Sequence, residues 1–219
     1  MVSCLISAYY AKEFMSIRMK NLEGNERIVV CQKGSHEEYI ARLHNAEKII
    51  TTPDVPSIGY AWNLAYQYAS CEYVTTANTD DHIYADGYRR MVEVLRNYMD
   101  VGLIFSMVDK TNGAQPKPWK RIPDGTGLID GAVLADKCII GPMPVWRTSY
   151  RDTIGMFDED MVSADWEYWL RMYAAGIGIY YIDEPLGCYA KRVDSLEHRN
   201  AMSIIQEAKQ LRDLYRVIA

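Results

Sequence analysis

From Val2 to Val108 short apolar runs alternate with amphipathic stretches, and this alternation leaves few folds open. Val2 to Tyr9 is almost continuously apolar, as expected of a parallel strand buried on both faces. A helix is expected from about Lys12 to Leu22, ended by Gly24-Asn25. Arg27 to Cys31 reads as a second strand, and Ser35 with Glu38 can cap a helix running to about His44. Lys48 to Thr52 is a third strand. After Pro53 and Pro56, Ser57 can cap a helix whose Ile58, Ala61, Trp62, Ala65 and Ala69 share one face. Tyr73 to Ala77 is a fourth strand, Tyr88, Met91, Val92, Leu95 and Met99 line the next helix, and Val101 to Val108 is a further strand. Strand and helix in alternation argue for an α/β fold, a mostly parallel sheet wrapped by helices. Neither Gly-x-Gly-x-x-Gly after the first strand nor Gly-Lys-Ser/Thr occurs, so Rossmann dehydrogenases and P-loop enzymes are not supported.

The second half is less regular. Lys110 to Asp130 carries three glycines and three prolines and reads as one long loop, of the kind that is functional or mobile. Trp119, Lys120 and Arg121 on it could meet a substrate. Trp166, Trp169, Leu170 and Tyr173 form a helical stripe stopped by Gly176, Ile177 to Ile182 is a late strand, and Ile204, Ile205, Ala208, Leu211, Tyr215 and Ile218 mark a C-terminal amphipathic helix. A length of 219 residues fits one domain, and 49% hydrophobic residues suffice for a core. A net charge of −5 supplies no field for nucleic acid. No apolar run has the length of a membrane span, and Met1 to Ile6 lacks the basic start of a signal peptide. Cys4, Cys31, Cys71, Cys138 and Cys188 are odd in number and scattered, which suits reduced thiols in a cytoplasmic protein. Met107, Met143 and Met161 look like core filling.

The fourth strand ends in two adjacent carboxylates, Asp80 and Asp81. In an open α/β sheet ligands bind at the carboxyl ends of the strands. Carboxylates there can hold a hard divalent cation that bridges phosphate oxygens. The plain alternative is an acidic turn that caps the following helix.

Several stretches together resemble glycosyltransferase family 2, the nucleotide-sugar transferases of GT-A fold, including their spore-coat members. Ile6-Ser7-Ala8-Tyr9-Tyr10 resembles the opening strand, and Trp62-Asn63 the x-Asn helix. Thr79-Asp80-Asp81-x-Ile83-Tyr84 resembles the DxD metal and nucleotide element. Val145-Trp146-Arg147 with Gly155-x-Phe157-Asp158-Glu159 resembles the acceptor-side segment. Asp165-Trp166-Glu167-x-Trp169-Leu170-Arg171 resembles the helix that carries the catalytic base. The resemblance spans roughly residues 1 to 195.

That resemblance implies a GT-A fold with a Rossmann-like nucleotide-sugar-binding half, 1–108, an irregular acceptor and catalytic half, 109–195, and a C-terminal helix, 196–219. It implies an inverting transferase moving a sugar from a nucleotide diphosphate, a UDP-sugar by expectation, to a hydroxyl of a glycan, a lipid-linked intermediate or a protein. Mn2+ or Mg2+ would sit on Asp81, with Asp80 facing the ribose or a metal-bound water. Tyr9 would stack on the base, with Ser7 and Ala8 beside it. Asn63 and Asn78 are further donor-side candidates, Trp119, Trp146 and Trp166 acceptor-side ones, and Asp165 the general base. Glu167, two residues on and on another helical face, is expected to be structural, with Arg171 pairing to an acidic neighbour. A cytoplasmic setting is expected, peripheral at the inner membrane face for a lipid-linked acceptor.

The departures are specific. Gln32-Lys33 stands where most members carry an Asp-Asp pair that reads uracil, although Gln32 can donate and accept along a base edge. Asn78 replaces the first acidic position of the DxD element. Tyr189-Ala190-Lys191-Arg192 stands where Tyr-Arg-x-His is common; Lys191 or Arg192 could neutralise a diphosphate, and His198 is left unassigned. Two other readings remain. A sugar-1-phosphate nucleotidyltransferase would need a Gly-rich loop with Arg and Lys after the first strand, which is missing. A nucleotide- or glycan-binding module without turnover would fit Gln32-Lys33 and Asn78 but not the retention of Asp80, Asp81 and Asp165.

Overall fold

The structure is a computed structural model that describes the chain except for residues 10, 121, 123, 124, 193, 194, 196–198 and 217–219. Tyr10, Arg121, His198 and Ile218, singled out above, lie outside the described residues.

The first half follows the sequence closely. Strand β1 (Ser3–Ala8) leads to helix α1 (Lys12–Asn21), then β2 (Glu26–Gln32), α2 (His36–Leu43), β3 (Lys48–Thr52), α3 (Ile58–Gln67) and β4 (Tyr73–Thr76). Ser35 and Ser57 cap α2 and α3 by accepting from the backbone N–H of Glu38 and Tyr60, as short hydroxyl side chains do at helix starts. A two-residue strand β5 (His82–Ile83) follows the acidic turn, and α4 spans Gly87–Asn97. Helix α4 starts behind Asp86, whose backbone is left-handed at φ 65° and whose side chain makes no cap. A Cβ on Gly87 would lie 2.7 Å from the Leu186 carbonyl, so only glycine lets α4 start this close to the sheet.

Beyond it come β6 (Val101–Thr111), β7 (Lys117–Trp119), β8 (Gly127–Leu128), α5 (Gly131–Asp136), β9 (Val145–Arg147), α6 (Tyr150–Thr153), α7 (Ala164–Ala174), β10 (Gly178–Ala190) and α8 (Ala201–Tyr215). Two expectations need correcting. The stretch from Lys110 to Asp130 is not one loop, because β7 pairs with β6 and β8 with β10. The late strand does not stop at Ile182; it continues through Pro185 to Ala190, with register shifts on either side of that proline, where a residue without N–H interrupts the ladder.

All these strands form a single sheet, β3-β2-β1-β4-β9-β6-β10-β5 in order, with β7 and β8 joined at its side. Strands β1 to β4 run parallel to one another. Strand β9 inserts antiparallel between β4 and β6, which makes β6, and β10 parallel to it, point the same way as β4. The carboxyl ends of β1, β2, β3, β4, β6 and β10 therefore meet along one edge. One face is covered by α3, α5 and α7, with Leu211 and Tyr215 of α8 against it; the other is covered by α1, α2 and α4. The aromatic residues concentrate on the first face, where Trp146, Phe157, Tyr168 and Trp169 pack ring against ring at 4.5 to 6.3 Å, a spacing at which tilted pairs attract.

Candidate active site

The carboxyl edge gathers most of the residues expected there. Ser7 and Ala8 end β1, and Tyr9, 40% exposed, stands just beyond it. Gln32 ends β2 and donates from Nε2 to the Pro53 carbonyl at 3.1 Å, so it ties down the loop after β3. Lys33 is exposed beside it, with its backbone N–H on the Thr52 carbonyl. The turn from Ala77 to Asp81 leaves β4 at the same level, since Ala77 donates to the Leu5 carbonyl. Lys191 and Arg192 arrive from the end of β10: Ala190 N–H donates to Asp81 Oδ1 at 3.3 Å, and Arg192 Nη1 lies 3.7 Å from Asp80 Oδ2 with its guanidinium over the Phe14 ring.

Asp81 is 4% exposed, and its Oδ2 is buried with no hydrogen-bond partner. Asn78 Oδ1, two residues after Thr76, is likewise buried and unpartnered. Burial first, and the neighbouring Asp80 carboxylate second, push the Asp81 carboxyl up to about 7 against the pull of Arg18, the Ala190 N–H and the Asn78 side chain. An ionised oxygen left without a donor in a protein interior is costly, and a cation is one partner that would remove that cost. No three carboxylate, imidazole or thiol side chains come together as a preformed cage among the described residues. Two adjacent carboxylates, one with an orphan oxygen, fit instead a small hard cation that keeps waters and phosphate oxygens in its shell.

The turn is held from below by α1, which the sequence reading missed. Asn21 accepts from the Ile83 N–H at 3.0 Å and donates to the Ile83 carbonyl at 2.8 Å, clamping β5 directly after the two carboxylates. Arg18, 1% exposed, donates from Nη1 to the same Asn21 Oδ1 at 2.7 Å, while its Nε and Nη2 find no acceptor. A buried guanidinium thus stands behind Asp81. Glu37, 7% exposed on α2, accepts from the Ala11 N–H at 2.7 Å and fixes the segment that carries Tyr9.

Asp165 stands in the first turn of α7, half-buried, with Oδ1 accepting from the Trp166 N–H. A Cβ on Gly59, at the start of α3, would lie 3.0 Å from the Asp158 carbonyl and 3.5 Å from Ala164 Cβ. Because α3 itself starts at the carboxyl edge, this packing brings the first turn of α7 there as well. Glu207 of α8 accepts from the N–H groups of Val162 and Ser163 at 2.9 and 2.7 Å and steadies that turn. Glu167 pairs with Arg171 at 2.6 Å, and Arg171 also donates to the carbonyls of Ile154 and Met156; both are structural, as expected.

Three candidates are buried inside the fold. Asn63 is 5% exposed and spends its amide on Phe157 N–H, Phe157 carbonyl and Glu159 Oε1, so it staples α3 to the segment before α7 and is not in reach of a donor. Trp146 is fully buried, with Nε1 on Tyr66 Oη. Trp166 is 4% exposed and donates to the Leu134 carbonyl. Both tryptophans are core residues rather than acceptor contacts, Trp146 within the aromatic layer and Trp166 in the hydrophobic core of the same face with its indole N–H taken by α5. Trp119 is half-buried at the end of β7, against Tyr189.

Fold and edge together define a class: the chain has the GT-A-like fold of glycosyltransferases. Among solved structures it is similar to S. aureus TarS 1–349 in complex with UDP-GlcNAc, at 14% identity and a TM-score of 0.73, over 98% of this chain and 71% of that one. It is also similar to glucosyl-3-phosphoglycerate synthase from Mycobacterium tuberculosis with Mn2+, UDP and glucosyl-3-phosphoglycerate, at 13% identity and a TM-score of 0.68, over 97% and 79%. A third is the mannosyltransferase PcManGT from Pyrobaculum calidifontis with GDP-Man and Mn2+, at 16% identity and 0.68, over 96% and 64%. At such identities the likeness is one of fold. No family model matches the sequence, and no curated protein matches it. Among the described residues no helix is long and apolar enough to cross a membrane.

Proposed function

We propose that the chain transfers a sugar from a nucleotide diphosphate to an acceptor hydroxyl, with inversion at the anomeric carbon. The observation that carries this reading is the orphan carboxylate oxygen of Asp81, set at the carboxyl edge between an exposed Tyr9 and the cationic end of β10. The fold neighbours solved with UDP, UDP-GlcNAc or GDP-Man favour a nucleotide-sugar donor. Tyr9 offers its ring to the base and Ser7 its hydroxyl, while Gln32 and Lys33 offer an amide and an ammonium along the base edge. A UDP-sugar is the donor expected first.

Asp80 and Asp81 would hold Mn2+ or Mg2+, whose charge stabilises the departing diphosphate. Arg192, already beside Asp80, and Lys191 add positive charge to the same oxygens. In the transfer, the acceptor oxygen forms its bond to the anomeric carbon as the bond to the phosphate oxygen breaks. The bonding pair leaves with the nucleoside diphosphate, and the hydroxyl proton passes to the Asp165 carboxylate. One displacement from the face opposite the leaving group inverts the centre. The chain works as one domain, 1–219, with its donor side in 1–108 and its acceptor side in 109–195; a cytoplasmic setting accords with five free cysteines.

The test is thermal stability against a panel of nucleoside diphosphates and nucleotide sugars, with and without Mn2+. A ligand of the folded state stabilises it by RT ln(1 + [L]/Kd), so a metal-dependent shift for one nucleotide is expected. Asp165→Asn should keep that shift and lose transfer by about 10²–10⁴-fold. If no nucleotide shifts the melt, the reading falls in favour of a binding module without turnover.

A further inference from the structure

Helix α8 keeps one long side out of the core. At about 100° per residue, Met202, Ile205, Lys209 and Arg216 fall within about 60° of one another on its surface, while Leu211 and Tyr215 turn into the core. Met202 is 70% exposed and Ile205 62%, and Lys209 and Arg216 are exposed as well. Arg212, next around the helix from Ile205, donates from Nε to the Asp136 carbonyl at 2.6 Å. That bond brings the end of α5 against the stripe, with exposed Lys137 directly after Asp136 and exposed Val133 one turn before it.

Lys137, Lys209 and Arg216 make no ion pair among the described residues. Along the stripe and the end of α5, Lys137, Lys209, Arg212 and Arg216 stand against the carboxylates of Asp136 and Asp213, a local excess of positive charge in a chain whose net charge is −5. Apolar side chains held in water gain from an apolar phase, and unpaired cations gain from anions. The surface that answers both is a layer of negative headgroups over hydrocarbon. Lys209 and Arg216 can keep their charged ends at the headgroups while their stems follow Met202 and Ile205 inward. Met202, Ile205 and Val133 are too few for the apolar core of a stable protein interface, but they suffice to dip into a bilayer surface. At 15 residues α8 is too short to cross such a bilayer, so it would lie along it.

We propose that the stripe of Met202, Ile205, Lys209 and Arg216, with Val133 and Lys137 beside it, docks the protein on the surface of an anionic phospholipid bilayer. The docking goes beyond the transferase reading and does not depend on it. On another side α8 carries Glu207, which caps the Val162 and Ser163 N–H groups, so the bilayer meets the flank of the fold that also holds the start of α7.

The experiment floats the full chain, without nucleotide, with vesicles of phosphatidylcholine alone or mixed with phosphatidylglycerol. Partition into the mixed vesicles is expected, falling as salt is raised, with little into phosphatidylcholine alone. Each basic group near an anionic surface contributes about fivefold to partitioning, so Lys209→Gln combined with Arg216→Gln should weaken it about tenfold or more. Met202→Ser combined with Ile205→Ser should weaken it as well. Both variants should melt as the parent does, because the altered side chains project into solvent. No flotation with the mixed vesicles, equal flotation with both kinds, or an unchanged partition in either double variant overturns the proposal. So does a parent that is dimeric by light scattering and a Met202→Ser, Ile205→Ser variant that is monomeric, which would mean that a second copy of the chain covers the stripe. None of these outcomes touches the transferase reading, since that reading falls only with the nucleotide shift.

Discussion

The two edges of the sheet treat buried charged groups in opposite ways. At the amino edge Glu26, 6% exposed, accepts from Ser3 Oγ, from Lys48 Nζ at 2.6 Å, and from the Ser70 N–H and hydroxyl at 2.9 and 2.6 Å. Next to it Arg27 lies in a forked pair with Glu47 and donates further to the Met19 and Asn45 carbonyls. At the carboxyl edge and just behind it, Arg18 Nε and Nη2, Asn78 Oδ1, Asp81 Oδ2 and Tyr88 Oη are buried without partners. Satisfied buried networks stabilise and fix a structure, whereas unsatisfied groups cost free energy. The fold pairs the charges buried at the amino edge, where the neutral Tyr73 Oη and Thr148 Oγ1 are nonetheless unpartnered, and leaves buried charges incompletely paired toward the carboxyl edge, where a ligand can complete them.

The most severe test of that contrast is Asp81→Asn. Metal-dependent nucleotide binding should be lost outright, because the neutral amide is a poor ligand for a hard cation. Stability should move the other way. A carboxyl whose value is raised to about 7 in the fold is a net penalty from the ordinary carboxylate range upward, so removing its charge should stabilise the protein at pH 8. A gain of about 1 kcal/mol would appear as roughly 2–4 °C in Tm. A variant that melts below the parent would break the contrast and return the turn to a structural role.

Glu26→Gln probes the other edge and should cost about 1–3 kcal/mol, the range for leaving buried hydrogen-bond partners unsatisfied, measured by chemical denaturation. Burial alone would raise its pKa, but the hydrogen bonds from Lys48, Ser3 and Ser70 outweigh burial and hold it down at about 2. The sign follows from linkage. A carboxyl depressed in the fold contributes stability that is full above its unfolded value, near 4.5, and is lost as pH falls through about 2. Acid unfolding between those values should therefore be shallower in the Gln variant than in the parent; equal slopes would mean that Glu26 does not link folding to protons.

Which parts were legible in the sequence follows the same division. Capping by Ser35 and Ser57, the strand followed by the Asp80-Asp81 turn and the Glu167–Arg171 pair are local patterns, set by residues within a few positions of each other. The misassigned residues are those whose chemistry depends on distant packing. Trp146 and Trp166 could serve a surface as well as a core by type, and only the packing around α7, on the sheet for Trp146 and against α5 for Trp166, decides it. Asn63 has the polarity of a ligand contact, yet its partners lie at Phe157 and Glu159, with nothing in the spacing to foretell them. Arg18 and Asn21 sit on a helix of weak amphipathic pattern, and the bonds of Asn21 to Ile83 span more than sixty positions. The short strands β7 and β8 escaped notice because glycines and prolines flank them closely.

Glu207 belongs to neither edge by sequence and gives the smallest and sharpest comparison. Its carboxylate caps the Val162 and Ser163 N–H groups just ahead of Asp165, so α8 completes hydrogen bonds as at the amino edge but does so beside the proposed base. Glu207→Ala should cost about 1–2 kcal/mol, the range for a lost cap. If the cap also aims Asp165, kcat should fall several-fold while the nucleotide-dependent thermal shift is kept, since misplacement of a catalytic group is felt in the chemical step. A lower melting temperature with unchanged kcat would assign Glu207 to stability alone. The proposed base would then have to be held through the packing of α7 on α3, at Gly59 and Ala164.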